Sequence, residues 1–295
     1  MTCPFLKEAR VKYCQTAVVR KLIPLTQAAT CSEKCSSAEH ASCSVYRTHP
    51  QEHPVSGPCP NLCESLMQYC SAAPVTKFVP YSESLLSRCG DDRFLYCELY
   101  LAMAHPKLPA QEVNGIAVPG WLKYSANHLW LDVTDEGVCH AGIDGFLSRA
   151  LGKIDRVSYL WLKGRHRPAA VLSVGALDLE VVFPNSFVLT NYNPYLRADP
   201  SRLTSEPYTG GWLFEGVSDP DTTKNLVQGA EAREWMEQEE RRMNEFLQQQ
   251  VHTAEPMAAD GGVFTSGLAR HLDREQMLAL FHEFFSPYPS EKRES

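Results

Sequence analysis

One stretch of this chain occurs twice, and whatever the chain folds into must accommodate both copies. Residues 3 to 24 read CPFLKEARVKYCQTAVVRKLIP and residues 59 to 80 read CPNLCESLMQYCSAAPVTKFVP. Aligned without a gap, they share an opening Cys-Pro, a leucine, a glutamate, Tyr-Cys, an alanine, a valine, a lysine and a final proline. The following segments also correspond. Cys35 and Cys43 stand eight apart, the second opening CSVY, while Cys89 and Cys97 stand eight apart, the second opening CELY. This is an internal duplication, with four cysteines in each unit.

The two quartets are Cys3, Cys14, Cys35, Cys43 and Cys59, Cys70, Cys89, Cys97, whereas Cys31, Cys63 and Cys139 have no counterpart. Four thiolates are what a tetrahedral zinc ion or a [4Fe–4S] cluster requires. Neither quartet holds the close Cys-x-x-Cys pair usual for zinc, so the wide spacing favours iron–sulfur, with zinc as the alternative. A packing explanation, buried cysteines or disulfides in a compact helical domain, does not account for four cysteines recurring in register. In each unit Lys21 to Pro24 and Lys77 to Pro80 read as the end of a helix, because a residue before proline avoids helical geometry. Lys21 and Lys77 are placed to donate to cluster sulfurs or simply to face solvent. Pro50 to Pro58 is a turn-rich connector.

The chain has 295 residues, about two domains by length, with the 44% hydrophobic and 21% charged content of a soluble globular protein. All cysteines but Cys139 precede residue 98. The N-terminal MTCPFLKEARVKYC lacks the apolar core of a secretory signal, and there is no run long enough to span a bilayer. The expectation is a cytoplasmic protein with no membrane contact, and in a reducing compartment a dense cysteine block ligates metal more often than it forms disulfides. A net charge of -7 disfavours nucleic acid as a partner. The one basic cluster, Lys163 to Arg167, reads as a solvated hairpin loop.

Residues 107 to 120 form a Pro- and Gly-marked linker. Short alternating runs follow at His128–Val133, Val138–Ile143, Ile154–Trp161, Ala169–Val174, Leu177–Val182, Phe187–Asn191 and Trp212–Val217, the spacing of a sandwich or barrel. One helix interrupts them, from an Asp144 N-cap to a stop at Gly152. The whole is α+β: a helical, duplicated cysteine module at 1–106, a linker at 107–120, a β-sandwich with a C-terminal helix at 121–250, and a tail at 251–295.

The β-rich third resembles the H protein of the glycine cleavage system, a lipoyl-carrying hybrid of barrel and sandwich. Tyr124-Ser-Ala-Asn-His128-Leu-Trp130 is similar to that family's opening Y-x-x-x-H-E-W, and Gly142 to Gly152 (GIDGFLSRALG) to its G-I-x-x-x-A-x-x-x-L-G helix. Phe183 to Asn193 is similar to S-P-x-x-G-x-V-x-x-x-N, and Tyr208 to Leu213 to Y-x-x-G-W-L. The resemblance implies a hairpin E-S-V-K-A whose lysine carries lipoate. Counted back from Pro184 and Asn193, that lysine falls on Ala176 in Ser173-Val174-Gly175-Ala176-Leu177, and no lysine occurs between Lys163 and Lys224. Alanine has no amine to acylate, so the expectation is an H-like protein without lipoate. The family's glutamate is replaced by Ser173, and its turn glycine by Phe187, expected to be buried, as are Trp130, Trp161 and Trp212. His128 is read as a structural histidine without chemistry.

In the tail, residues 229 to 250 place Ala232, Trp235, Met236, Met243, Phe246 and Leu247 on one helical stripe. After a flexible linker, His271 to Phe285 forms an apolar helix, read either as a tethered docking peptide for a partner protein or as back-folded onto the cysteine module. No nucleophile elbow, Walker loop or dinucleotide fingerprint is present. Cys139 and His140 are neighbours on a strand and point to opposite faces. The expected function is therefore non-catalytic: an adaptor or redox relay, a structural zinc scaffold, or an accessory of glycine cleavage or lipoate metabolism.

Overall fold

Each copy of the repeat opens as a strand, not as a helix. In β1 (Leu6–Cys14) the sequence LKEARVKYC puts Ala9, Val11 and Tyr13 on one face and Glu8, Arg10 and Lys12 on the other, and Val11 is fully buried. In the computed structural model, which describes residues 2–17, 23–24, 34–48, 57–75, 77–79, 88–104, 110–160, 164–251, 264 and 266–286, the chain divides into two compact units, 1–104 and 105–295.

In the first unit β1 is followed by β2 (Ile23–Pro24), and in the second copy β3 (Leu62–Cys70) by β4 (Lys77–Val79). The helix expected to end at Pro24 and Pro80 is thus corrected. The proline restriction on the preceding residue favours extended backbone, which suits a strand as well as a helix end. The four strands form one antiparallel sheet in the order β2-β1-β3-β4. Its centre pairs one copy with the other, from Leu6 opposite Cys70 to Cys14 opposite Leu62. Leu6 corresponds to Leu62 in the duplicated sequence and Cys14 to Cys70, so the pairing is a local two-fold centred on Arg10 and Leu66.

The second half of each copy also repeats. Ser37 caps a 3-10 turn over Ala38–Ser42 and Asp91 caps one over Asp92–Tyr96, each side chain accepting from the amide two residues on. Cys43 and Cys97 close these turns and lead into α1 (Ser44–Thr48) and α2 (Glu98–Ala104). His40 meets Tyr46, and Phe94 meets Tyr100, both edge-on with ring centroids 4.8 Å apart. Among the described residues of this unit helix is confined to these short segments, beside a four-stranded sheet, so what is described is mixed rather than helical.

The first strands of the second unit lie inside the segment read as a linker. β5 (Gln111–Val113) and β6 (Ile116–Val118) pair around Asn114 and Gly115, both with positive φ (48° and 80°), as a type I′ hairpin turn requires. The following strands are β7 (Lys123–Tyr124), β8 (Leu129–Val133), β9 (Val138–Ile143), β10 (Arg156–Leu160), β11 (Arg165–His166), β12 (Ala169–Val174), β13 (Leu177–Val182), β14 (Phe187–Tyr192), β15 (Phe214–Val217) and β16 (Val227–Gln228). They form a seven-stranded sheet, β11-β14-β15-β9-β8-β7-β16, and a three-stranded sheet, β10-β12-β13. Tyr159 on β10 joins the sheets, stacking on Tyr192 at 4.6 Å and meeting Phe214 edge-on. Phe187 is buried, and so are Trp130 and Trp212; Trp161 lies outside the described residues. Phe187 fits because residue 216 is glycine: a Cβ there would stand 2.5 Å from the ring.

α3 (Gly145–Leu151) starts at its Asp144 cap and ends at Gly152, φ +66°. α4 (Arg202–Ser205) is a single turn, and α5 (Gly229–Val251) buries Ala232, Met236, Met243 and Leu247. α6 (Arg274–Phe285) carries a full capping box at Asp273 and Gln276. Its apolar face is already covered. Met277, Leu280, Phe284 and Phe285 are buried, with Phe284 against Phe246 of α5 and Phe146 of α3, and the Arg242 guanidinium 4.2 Å above the Phe284 ring. The helix therefore belongs to the second unit, which corrects both the docking-peptide reading and back-folding onto the cysteine module. A twelve-residue helix bearing four large apolar side chains gains more from an available groove than from water.

Beneath α5 and α6 lies His128, fully buried, with φ +61°. Its ring lies between Phe146 (4.1 Å, near parallel) and Trp235, with Phe285 at its edge. Nδ1 lies 2.8 Å from the Asp144 carboxylate, and Nε2 lies 3.4 Å from Glu239 of α5. Burial favours the neutral ring, but Asp144, supported by Glu239, outweighs it and holds the imidazole pKa above its ordinary value. His128→Ala takes the imidazole from two buried carboxylates, Asp144 keeping the Leu147 amide and Glu239 keeping Arg242, and is expected to destabilise the second unit by about 3–5 kcal/mol in denaturant titrations. The wild-type stabilisation is complete below about pH 6.5 and is lost as pH rises through the raised folded-state value. Equal pH dependence of wild type and His128→Ala would remove His128 from that role.

Candidate functional site

The sequence singles out two places, the β12–β13 hairpin in the second unit and the cysteines of the first. In the hairpin Val174 pairs with Leu177, which leaves Gly175 and Ala176 as a two-residue turn. Gly175 has φ +59°, the left-handed value that a II′ turn needs at its first position. Both turn residues are exposed. The tip is nevertheless braced. The Gly175 amide donates to the Asp155 carboxylate at 2.9 Å, the Asp155 amide donates to the Ser173 carbonyl at 2.9 Å, and the Ser173 hydroxyl donates to Asp178 at 2.6 Å. The Ser173 hydroxyl thus serves the turn itself. The result is a rigid, solvent-facing tip with no amine on it.

The eight cysteines of the duplicated quartets all lie among the described residues, whereas Cys31 lies outside them. The ten described cysteines are thiols. Cys3 and Cys59 are buried, and the other six of the quartets are partly exposed. The grouping of one quartet per copy is not what the chain brings together. Cys3 precedes β1 and Cys14 ends it, and at ~3.4 Å per residue that nine-residue strand is about 27 Å long. Cys59 and Cys70 are separated by β3 in the same way. Sulfurs so placed cannot share an ion with Zn–S bonds of about 2.3 Å.

The neighbours come instead from the other copy. The Cys3 amide donates to the Cys89 carbonyl at 2.9 Å, and the Cys59 amide donates to the Cys35 carbonyl at 2.8 Å. The Ser71 amide, next to Cys70, donates to the Phe5 carbonyl, and the Gln15 amide, next to Cys14, donates to the Asn61 carbonyl, both at 2.9 Å. Burial pushes the Cys3 thiol up, partly offset by the Phe5 and Leu6 amides that face its sulfur, and nearby Cys97 and Cys70 push it further up. Cys14 is held below the ordinary thiol value. Burial opposes this but is outweighed by the Thr16 hydroxyl and the Thr16 and Ala17 amides. Cys63 lies on β3 and donates to Gln15 Oε1 at 3.5 Å. Among the described residues no three His, Cys, Asp or Glu side chains are gathered closely enough to hold an ion.

On β9, Cys139 and His140 are both buried; His140 pairs with Glu215 at 3.0 Å, and burial pushes the Cys139 thiol up to about 12. A thiol held neutral beside an imidazole committed elsewhere is no nucleophile.

The glycine cleavage H-protein family model matches residues 122–239. The chain is 33% identical over 105 residues to the glycine cleavage system H protein of Micrococcus luteus, covering 34% of this chain and 80% of that protein. It is 28% identical over 109 residues to that of Hydrogenovibrio crunogenus, covering 33% and 78%. A crystal structure of a glycine cleavage system H protein from Mycobacterium marinum aligns over 40% of this chain and 98% of its own, with a TM-score of 0.34 and 21% identity.

With Cys139 fully enclosed and its pKa raised, pulsed alkylation in the native protein is expected to leave it unmodified and to label it only as the second unit unfolds in denaturant. Labelling of Cys139 at a rate near that of a free thiol under native conditions would show that the β9 core opens locally.

Proposed function

The chain belongs to the glycine cleavage H-protein family through residues 122–239, and from that premise we propose that it is a non-catalytic member that carries no lipoate and works by binding a protein partner. The observation that carries this reading is the hairpin tip. Its turn is Gly175 and Ala176, the family's lysine position falls on Ala176, and no lysine lies between Lys163 and Lys224. A swinging acyl arm needs an amide on a lysine amine, and an alanine methyl offers none. The bracing of the tip by Asp155 and Ser173 supports a surface read by shape and hydrogen bonding in place of a covalent arm. Partners are sought first among proteins that dock the H-protein surface. Among the described residues no helix is long and apolar enough to cross a membrane.

The cysteine module supplies the second part of the proposal: a metal held on Cys3, Cys14, Cys35, Cys43, Cys59, Cys70, Cys89 and Cys97, iron–sulfur by their spacing, or zinc. All-thiol donors suit either. An iron–sulfur pair makes the protein a redox relay whose potential is set by hydrogen bonds to sulfur; zinc makes the module a scaffold. Iron, sulfide and zinc analysis with an anaerobic visible spectrum separates the two.

The hairpin reading is tested by Ala176→Lys. The position is exposed, so the substitution leaves the sandwich intact. Incubated with lipoate, ATP and a lipoate–protein ligase, the variant is expected to gain one lipoyl group by mass spectrometry while the wild type gains none. A lipoyl adduct on any lysine of the wild type overturns the proposal, and a folded variant that stays unmodified removes the equivalence of Ala176 with the carrier position.

A further inference from the structure

We propose that the first unit holds two thiolate metal centres, each assembled from both copies of the repeat: Cys3, Cys70, Cys89 and Cys97 around one, and Cys59, Cys14, Cys35 and Cys43 around the other. This rests on the metal reading above and changes its ligand sets.

The argument begins with the strand pairing. β1 and β3 run antiparallel with Leu6 opposite Cys70 and Cys14 opposite Leu62, so the start of one copy lies beside the end of the other copy's strand. Cys3 is three residues before Leu6, in a turn closed by the Leu6 amide on the Cys3 carbonyl at 3.0 Å; Cys59 sits in the equivalent turn, closed by Leu62 at 2.9 Å. Each turn is therefore next to the other copy's Tyr-Cys. The second halves are brought to the same places. The backbone of Cys89 takes the amide of Cys3, and the backbone of Cys35 takes the amide of Cys59. Tyr100, in the helix that follows Cys97, meets the ring of Phe5, two residues after Cys3, edge-on with centroids 6.1 Å apart. Cys43 occupies the place of Cys97 in the other copy, after a 3-10 turn with the same cap and the same 2.9 Å closing bond, to the His40 carbonyl and the Phe94 carbonyl respectively.

The sulfurs are also dressed for ligation. The amides of Phe5 and Leu6 face the Cys3 sulfur, and the amides of Thr16 and Ala17, with the Thr16 hydroxyl at 3.5 Å, face that of Cys14. Donors aimed at sulfur stabilise a bound thiolate without occupying the lone pair that it gives to the metal. As the side chains stand no three of them are gathered closely enough to hold an ion; each cysteine has one χ1 angle to turn, and in this proposal metal binding draws the four sulfurs of a centre together. Neither copy contains a complete centre by itself. Each centre ties the opening turn of one copy to the strand end and 3-10 turn of the other.

The test uses the full chain in two double variants, with zinc as the probe metal, and iron and acid-labile sulfide counted in the protein as purified. Cys3→Ser with Cys70→Ser takes two ligands from one proposed centre and none from the other. Cys3→Ser with Cys14→Ser takes one from each. The first variant is expected to keep half of the wild-type metal, with wild-type resistance to a chromogenic chelator; in the second, all of the metal is released faster and no resistant half remains. The opposite pattern overturns the pairing across copies while leaving a metal module. A wild-type chain that binds neither zinc nor iron overturns the metal reading and this one with it. A second measurement needs no variant to fold. After brief oxidation of the unmutated, metal-stripped chain, disulfide mapping is expected to link Cys3 to Cys70, Cys89 or Cys97, and a Cys3–Cys14 link as the main product overturns the proposal.

Discussion

The antiparallel pairing of β1 with β3 is the constraint on which the first unit depends. Among the described residues it is where the two copies of the repeat meet along a full element, nine residues against nine, and its register sets what is attached to the strand ends. A slip of one residue would send Ala9, Val11 and Tyr13 to the opposite face and expose the buried valine. It would also move the turns at Cys3 and Cys59 away from Cys89 and Cys35, whose carbonyls accept their amides. The two-fold relation thus has a packing cause, and the positions of the cysteines follow from it.

The second unit depends on a different kind of contact. Phe284 already brings α6 against α3 and α5, and His128 adds a polar contact at the same junction. Its ring fills the space between Phe146 of α3 and Trp235 of α5, its nitrogens face Asp144 and Glu239, and Phe285 of α6 closes the edge. Asp144 meanwhile caps α3 by accepting from the Leu147 amide, so the same carboxylate orients the histidine and starts the helix. A buried polar group with this many partners is costly to disturb and holds its neighbours in one arrangement. The hairpin at Gly175 lies on the other, three-stranded sheet and is braced by its own local bonds.

Much of the second unit was legible in the sequence because its signals are local. The Asp144 cap, the Gly152 stop and the alternating runs of β9, β12 and β13 each need only a few neighbouring residues to be recognised. Asn114-Gly115 was an equally local signal for a hairpin, obscured by the prolines and glycine around it that suggested a linker. The tail helix was legible as an amphipathic element but not as to what it covers, since the groove between α3 and α5 exists only after the chain has folded. In the first unit LKEARVKYC alternates apolar and polar residues as a strand does, yet its charged residues and the proline beyond it also suit a helix, and only the partner strand decides between them.

The cysteines show where a one-dimensional reading stops. Duplication identifies eight positions and divides them into two equivalent sets, but it is silent on which copy supplies which member of a neighbourhood. In a repeat whose units stack side by side, each unit keeps its own residues together. In a repeat whose units pair head to tail across a two-fold, residues at the two ends of a strand are exchanged between copies. The choice is made by the direction of one strand pair: parallel pairing of β1 and β3 would set Cys3 beside Cys59, whereas the antiparallel pairing sets Cys3 beside the end of β3. A function that rests on these thiols is therefore a property of the pair of copies, because neither copy presents its own first and second cysteines within reach of each other.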